Sequence, residues 1–171
     1  MLISGCLTAS PFHTQAADVP EFRPELFFAG DTHGDGTLVQ RWKAPRKLQV
    51  DGRGLRDSHD GSFMLDQKVT FDNGTTENRT WHLRQLSAHR YSATLSDASG
   101  TVTAETKGNV LHLRYLLRKP AVYMDQWLYL QPDGCTVLNV ATVSVLGIPW
   151  ARLSEKITRA NSGTSGKCLD L

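Results

Sequence analysis

The sequence contains no long apolar run and no cluster of basic residues. No stretch of roughly 18 or more apolar residues occurs, so we expect no transmembrane helix. Lysine and arginine are scattered and the formal net charge is only +2, whereas a nucleic-acid-binding surface concentrates positive charge. We therefore expect no nucleic acid partner.

Sustained helical periodicity is missing as well. Apolar residues instead alternate with polar ones over short segments, and Gly, Pro, Asn and Asp separate these segments at regular intervals. Spacings of about 8–12 residues between such segments are typical of all-β proteins. We therefore predict one domain of the all-β class. The expected architecture is an antiparallel closed barrel of roughly 8–10 strands, because closure removes exposed edges.

Cysteine and histidine are too dispersed to form a metal site. The three cysteines are Cys6, Cys135 and Cys168, and none of the six histidines stands near them at ligand spacing. We predict no metal and no cofactor. Cys135 and Cys168 either form a disulfide or remain two free thiols.

The clearest structural signal is a hairpin around the turn Asp72-Asn73-Gly74. Asn and Gly accept positive φ readily, and a three-residue loop with Gly74 in the left-handed region keeps all apolar residues on one face. A shift by one residue would destroy that face. The predicted register pairs Phe63 with Leu83, Leu65 with Trp81, and Gln67 with Arg79.

This register places Arg79 on the apolar side of the sheet. A buried guanidinium is costly without partners, so the fold has to supply an acceptor. The strand Val122 to Gln131 carries Asp125, but both of its faces are largely apolar, and the pattern alone leaves open which face points inward.

The run Ile3-Ser4-Gly5-Cys6 resembles the lipobox of bacterial lipoproteins, in which the cysteine after the cleavage site is acylated. A charged leader and most of an apolar segment are missing, so an ordinary N-terminus is the alternative. Residue Leu7 is not the Asp typical of inner-membrane retention, which favours the periplasmic face of the outer membrane.

We predict a remnant lipoprotein signal at 1–6, a tether at 7–24, the barrel at 25–160 and a disordered tail at 161–171.

Several short motifs together resemble the bacterial lipocalin-like lipoproteins catalogued as domain of unknown function 3833. Their order and spacing carry the resemblance, which covers about Pro20 to Arg159. The motifs are Phe28-Ala29-Gly30, Leu65-Asp66-Gln67, Phe71-Asp72-Asn73-Gly74, Arg79-Thr80-Trp81, Gly100, Gly108-Asn109, Asp125-Gln126-Trp127, Asn139 and Gly147. The resemblance implies a lipocalin-like (calycin-type) barrel and a lipid anchor, and it implies no established activity.

The chain departs from the family pattern at three positions. Gln67 replaces a Glu, Gln126 replaces an acidic residue, and Val140 replaces an Arg. Gln67 can accept a hydrogen bond from Arg79 but cannot neutralise it, so Asp125 becomes the expected acid.

These residues predict a polar cluster inside the barrel, built on an Arg79–Asp125 pair. Gln67, Asn139 and Tyr115 complete the cluster, and the expected pocket walls are Trp81, Trp127, Leu113 and Tyr129. The cluster would receive the polar end of a small apolar or amphipathic ligand. A structural brace in a filled envelope module is the alternative, and an enzyme acting on a lipid-like substrate, with Asp125 as its acid–base group, ranks third.

Overall fold

The computed structural model describes residues 19–160, which form one closed antiparallel barrel. A short helix, α1, precedes ten strands. The elements are α1 (Pro24–Phe27), β1 (Gly30–Gln40), β2 (Arg46–Arg56), β3 (Phe63–Phe71), β4 (Thr76–Ser87), β5 (Arg90–Leu95), β6 (Val102–Lys107), β7 (Val110–Arg118), β8 (Val122–Leu130), β9 (Thr136–Val145) and β10 (Ile148–Arg159).

Each strand pairs with its neighbours in sequence, and β1 pairs with β10 to close the ring. The all-β barrel prediction is therefore confirmed, with ten strands. Within residues 19–160, no helix has the length and hydropathy that crossing a bilayer requires.

The β3–β4 hairpin has the predicted register. Phe63 lies opposite Leu83, Leu65 opposite Trp81, and Gln67 opposite Arg79. Gly74 has a φ of 81°, as the turn requires. The register holds because it is the one that keeps the alternating apolar side chains inside the barrel.

Because successive strands run in opposite directions, the turns fall into two groups. We call one end the mouth; it carries the turns at 41–45, 72–75, 96–101, 119–121 and 146–147. The other end, the helix end, carries α1, since the backbone N–H of Phe22 donates to the carbonyl of Gly108 in the β6–β7 turn.

The segment around α1 plugs the helix end. Phe22 and Phe27 are fully buried and their rings meet edge to face, 5.8 Å apart. The buried Glu25 accepts a hydrogen bond from the Tyr91 hydroxyl. The tether prediction for 7–24 is wrong at its C-terminal end, because Phe22 and Pro24 are buried in the core.

Gly54 of β2 allows the plug to sit close to the wall. A Cβ at this position would collide with the backbone carbonyl oxygen of Phe28 and with the Phe63 ring. The glycine thus marks a close backbone approach, which is one meaning of a glycine inside a strand.

Two predictions concern residues outside the described range. The lipobox at 1–6 and the tail at 161–171 lie there entirely. Cys135 is disulfide-bonded, so the free-thiol alternative is wrong for this residue. Cys168 lies outside residues 19–160, so the predicted pairing with it stays a prediction.

Candidate functional site

A cavity of about 260 Å³ occupies the barrel interior. Pro24 and Phe28 line it at the helix end, and Gln40 and Trp150 line it near the mouth. Between these limits the wall is made mostly of inward-facing apolar side chains. Ligand pockets usually measure about 300–1,000 Å³, so this cavity is slightly smaller than the usual lower limit and has room for one small molecule.

Six of the predicted site residues line this cavity. They are Gln67, Arg79, Trp81, Leu113, Tyr115 and Asn139. Asp125, Trp127 and Tyr129 do not, and their placement in the interior is wrong.

Asp125 lies on the outer face of the barrel. Its Oδ1 accepts a hydrogen bond from Trp127 Nε1 at 2.6 Å and lies 3.2 Å from His112 Nε2. The His112 and Trp127 rings stack with centroids 3.9 Å apart. The other face of β8 turns inward and presents Met124, Gln126, Leu128 and Leu130.

The acidic residues that contact Arg79 are Glu77 and Asp97, which lie near the mouth. Its Nη2 donates to Glu77 Oε2 at 2.9 Å. Its Nε lies 3.0 Å from Asp97 Oδ2, an ion pair that lacks hydrogen-bond alignment. Two carboxylates therefore already neutralise the guanidinium, and the predicted Arg79–Asp125 pair does not exist.

Gln67 accepts a hydrogen bond from Trp81 and not, as predicted, from Arg79. The indole Nε1 of Trp81 donates a hydrogen bond to Gln67 Oε1 at 2.9 Å. The Trp81 ring also meets Tyr115 edge to face at 5.5 Å. Burial is the main reason that the pKa of Tyr115 rises above its usual range, with Asp97 also raising it and Arg79 opposing. This phenol therefore stays protonated and donates, at 3.4 Å, to Gln126 Oε1.

A second polar group faces the cavity from β9 and β10. Asn139 is only 2% exposed, and its Nδ2 donates to Glu155 Oε2 at 2.8 Å. Among the described residues, Asn139 Oδ1 has no hydrogen-bond partner. A buried acceptor without a partner is rare, because losing hydration is costly.

Glu155 was missed at the sequence level. The series Ala151, Leu153, Glu155, Ile157 alternates along β10, and an acid in such an apolar series is a signal for an inward carboxyl group. The space for it comes from Gly34, where a Cβ would collide with Glu155 Oε1. Burial raises the pKa of Glu155, while the Asn139 hydrogen bond and the charge of Arg79 oppose this increase.

An exposed acidic pair flanks His33 on the outer face. His33 Nδ1 lies 2.7 Å from Asp51 Oδ1, and Nε2 lies 3.6 Å from Asp35 Oδ1. Across residues 19–160, no group of three or more His, Cys, Asp and Glu side chains is arranged to hold a metal ion.

Solved structures with the same kind of barrel differ widely in sequence. The S-type phycobiliprotein lyase CPES from Guillardia theta matches with a TM-score of 0.60 at 9% identity, over 79% of this chain and 89% of that one. Rv2717c from M. tuberculosis matches with a TM-score of 0.58 at 13% identity, over 82% and 99%.

A third structure is a protein of unknown function from the DUF3598 family of Nostoc punctiforme PCC 73102. It matches with a TM-score of 0.60 at 13% identity, over 84% of this chain but 51% of its own. This chain therefore spans about half the length of that protein. At such identities the likeness concerns the fold alone.

Comparison with curated proteins finds no match. The family assignment comes from the sequence model described as "Protein of unknown function (DUF3833)", which matches residues 1–159. The chain belongs to this family.

Proposed function

We propose that this protein binds one small apolar or amphipathic molecule inside the barrel and is held at the bacterial envelope by a lipid on Cys6. The observation that carries the binding proposal is the cavity of about 260 Å³, whose lining includes Asn139 with its buried, unpartnered Oδ1. A filled structural core would leave neither the space nor the orphaned acceptor.

The architecture supports this proposal. α1 covers one end of the barrel with buried aromatic side chains, and no described helix covers the mouth. The wall is mainly apolar with a few polar groups, which is the usual composition of a small-molecule site.

Native mass spectrometry of the protein purified from its own membranes tests ligand binding. We expect a co-purifying molecule that is released on unfolding. The variant Val143→Phe places a ring in the cavity and should reduce the bound fraction at least about tenfold. The matched control is Val140→Phe on the outer side of the same strand, which should keep the ligand. Protein without a ligand in every preparation would support the envelope structural module instead.

The lipid anchor has a separate test. Metabolic labelling with an alkyne fatty acid, followed by membrane fractionation, should label the chain and place it in the outer membrane. Cys6→Ser should abolish the label and release the protein. A chain that stays unlabelled when it is expressed from its own gene with the natural upstream sequence would refute the anchor and leave the binding proposal intact.

The third possibility, an enzyme, loses Asp125, the acid–base residue that the sequence suggested for it. Asp125 lies on the outer face and does not reach the cavity.

A further inference from the structure

We infer that the polar end of the ligand is a hydrogen-bond donor, a hydroxyl or an ammonium group, and not a carboxylate. This inference rests on the proposed binding function and specifies the ligand class for the same cavity.

The first argument is the state of Arg79. A carboxylate ligand needs a free cation, but Arg79 is already bound to Glu77 and Asp97 at 2.9 and 3.0 Å. Displacing either acid would exchange one carboxylate for another and leave the displaced charge nearby. Contact with the guanidinium therefore adds no net favourable charge interaction for an anionic ligand.

The second argument is the acceptor at the other side of the cavity. Glu155 Oε2 accepts a hydrogen bond from Asn139 Nδ2, and Oδ1 is the amide atom without a partner. An incoming hydroxyl or ammonium group can donate to Oδ1. A carboxylate has only acceptor atoms and cannot satisfy it.

The third argument is charge. Arg79 contributes one positive charge, whereas Glu77, Asp97 and Glu155 contribute up to three negative ones. The charges of these four groups thus sum to a negative value, whether or not Glu155 is ionised. Like charges repel, so this excess of negative charge disfavours an anion further.

Three probes with the same eight-carbon chain test the inference: octanoate, 1-octanol and octylamine. Their affinities at neutral pH are measured by displacement of the neutral dye N-phenyl-1-naphthylamine. We expect the alcohol and the amine to bind at least about tenfold more tightly than octanoate. Glu155→Gln should weaken octylamine at least about tenfold and should weaken 1-octanol less, because only the amine carries a positive charge. The matched control Glu105→Gln removes an exposed carboxylate from the outer face and should change neither.

The outcomes separate the two proposals. Tightest binding of octanoate, or equal binding of all three probes, would overturn the donor inference and leave the binding function standing. Failure of the dye and every probe to bind, together with no co-purifying molecule, would overturn both.

A second, independent observation concerns one side of the mouth, formed by the turns at 41–45, 119–121 and 146–147, and we propose that this side docks on an anionic lipid bilayer. Three large apolar side chains stand out in the adjacent turns: Trp42 is 82% exposed, Leu146 is 73% exposed and Ile148 is 56% exposed. Trp42 and Leu146 have φ values of 58° and 50°, a region that bulky residues rarely adopt.

The three turns are neighbours. The backbone N–H of Leu146 donates to the carbonyl of Ala121, and that of Arg41 donates to the carbonyl of Trp150. Their charges have one sign: Arg41 and Lys43 lie in one turn, Arg118 and Lys119 at another, and no acid occurs at 41–45, 118–121 or 146–150. Tryptophan and apolar side chains flanked by basic residues are suited to an anionic membrane surface.

Vesicle flotation of the full chain carrying Cys6→Ser, and hence without a lipid, tests this docking. We expect binding to vesicles of phosphatidylglycerol and phosphatidylcholine, and much weaker binding to phosphatidylcholine alone. The double variant Trp42→Asn/Leu146→Asn should reduce partitioning at least about tenfold, since Asn tolerates positive φ. Leu55→Asn/Leu86→Asn, which changes exposed leucines near the helix end, is the matched control.

Equal partitioning of both double variants would refute the proposal. So would a wild-type dimer that only the mouth variant dissociates, because the surface would then bind a second copy of this chain.

Discussion

The indole of Trp81 and the amide of Gln67 join β4 to β3 through a 2.9 Å hydrogen bond in the cavity wall. The donor belongs to a largely buried ring, and the acceptor lies on the neighbouring strand, two positions after Leu65, the residue opposite Trp81. Gln67 thus fixes the ring that forms one side of the site.

Gln67→Leu is expected to destabilise the protein. It leaves the indole N–H without an acceptor, which costs about 1–3 kcal/mol for a buried polar group. Urea unfolding of the purified variant measures the loss. In the Trp81→Phe background the same substitution should cost much less, because no donor is left unpaired; an equal cost in both backgrounds would mean that Gln67 acts in another way.

Gly54→Ala should loosen the plug at the helix end. The added methyl group meets the Phe28 carbonyl, which belongs to the backbone and cannot rotate away. Overpacking of this kind usually costs about 1–3 kcal/mol, and hydrogen exchange at 22–28 should increase with it. Arg53→Ala, at the neighbouring exposed position, should leave exchange unchanged. Normal protection in Gly54→Ala would contradict the close approach.

Glu155→Gln should change how stability depends on pH. Burial raises the folded pKa of Glu155, so folding favours the protonated form. The contribution to stability is therefore complete below the unfolded pKa and decreases as pH rises through the folded pKa. Relative to wild type, Glu155→Gln should gain stability as pH rises from about 4 to 8. Chemical denaturation across this range measures the difference, and a constant difference would contradict the raised pKa.

The His33 imidazole should titrate at higher pH than usual. The hydrogen bond with Asp51 is the largest cause of its raised pKa, and the charges of Asp35 and Asp51 add to it. A group with a raised folded pKa stabilises the fold below its unfolded pKa, and this stabilisation is lost as pH rises through the folded value. Two-dimensional NMR of the ring protons follows the titration. Asp51→Asn should lower the pKa more than Asp35→Asn does; equal shifts would remove the hydrogen bond as the leading cause.

The sequence predicts the barrel and the hairpin because alternation there has only one consistent solution. Any other register of β3 and β4 exposes the apolar face, so the positions of Gln67, Arg79 and Trp81 follow directly. Three of the motifs that carry the family resemblance lie in this same β3–β4 hairpin.

The second half of the site follows less directly from the sequence. Both faces of β8 are apolar, and the direction of Asp125 depends on the strands that flank it in the ring. Glu155 is recognisable only once Ala151 and Ile157 are known to face inward. The ion pair of Arg79 with Asp97 involves the turn at 96–101, whose geometry no periodicity describes, whereas Glu77 lies two residues from Arg79 on the same face of β4.

Strand β10 lies between β1 and β9, so the first and last strands satisfy each other's backbone groups. Another polypeptide cannot extend the sheet by hydrogen bonding along an unpaired strand, because the ring offers none. Association with other proteins must then use side chains on the outer wall or the loops at the two openings. Substitutions of surface side chains should therefore change any oligomeric state that the protein has. Changes that affect only the backbone hydrogen bonds of the strands should not.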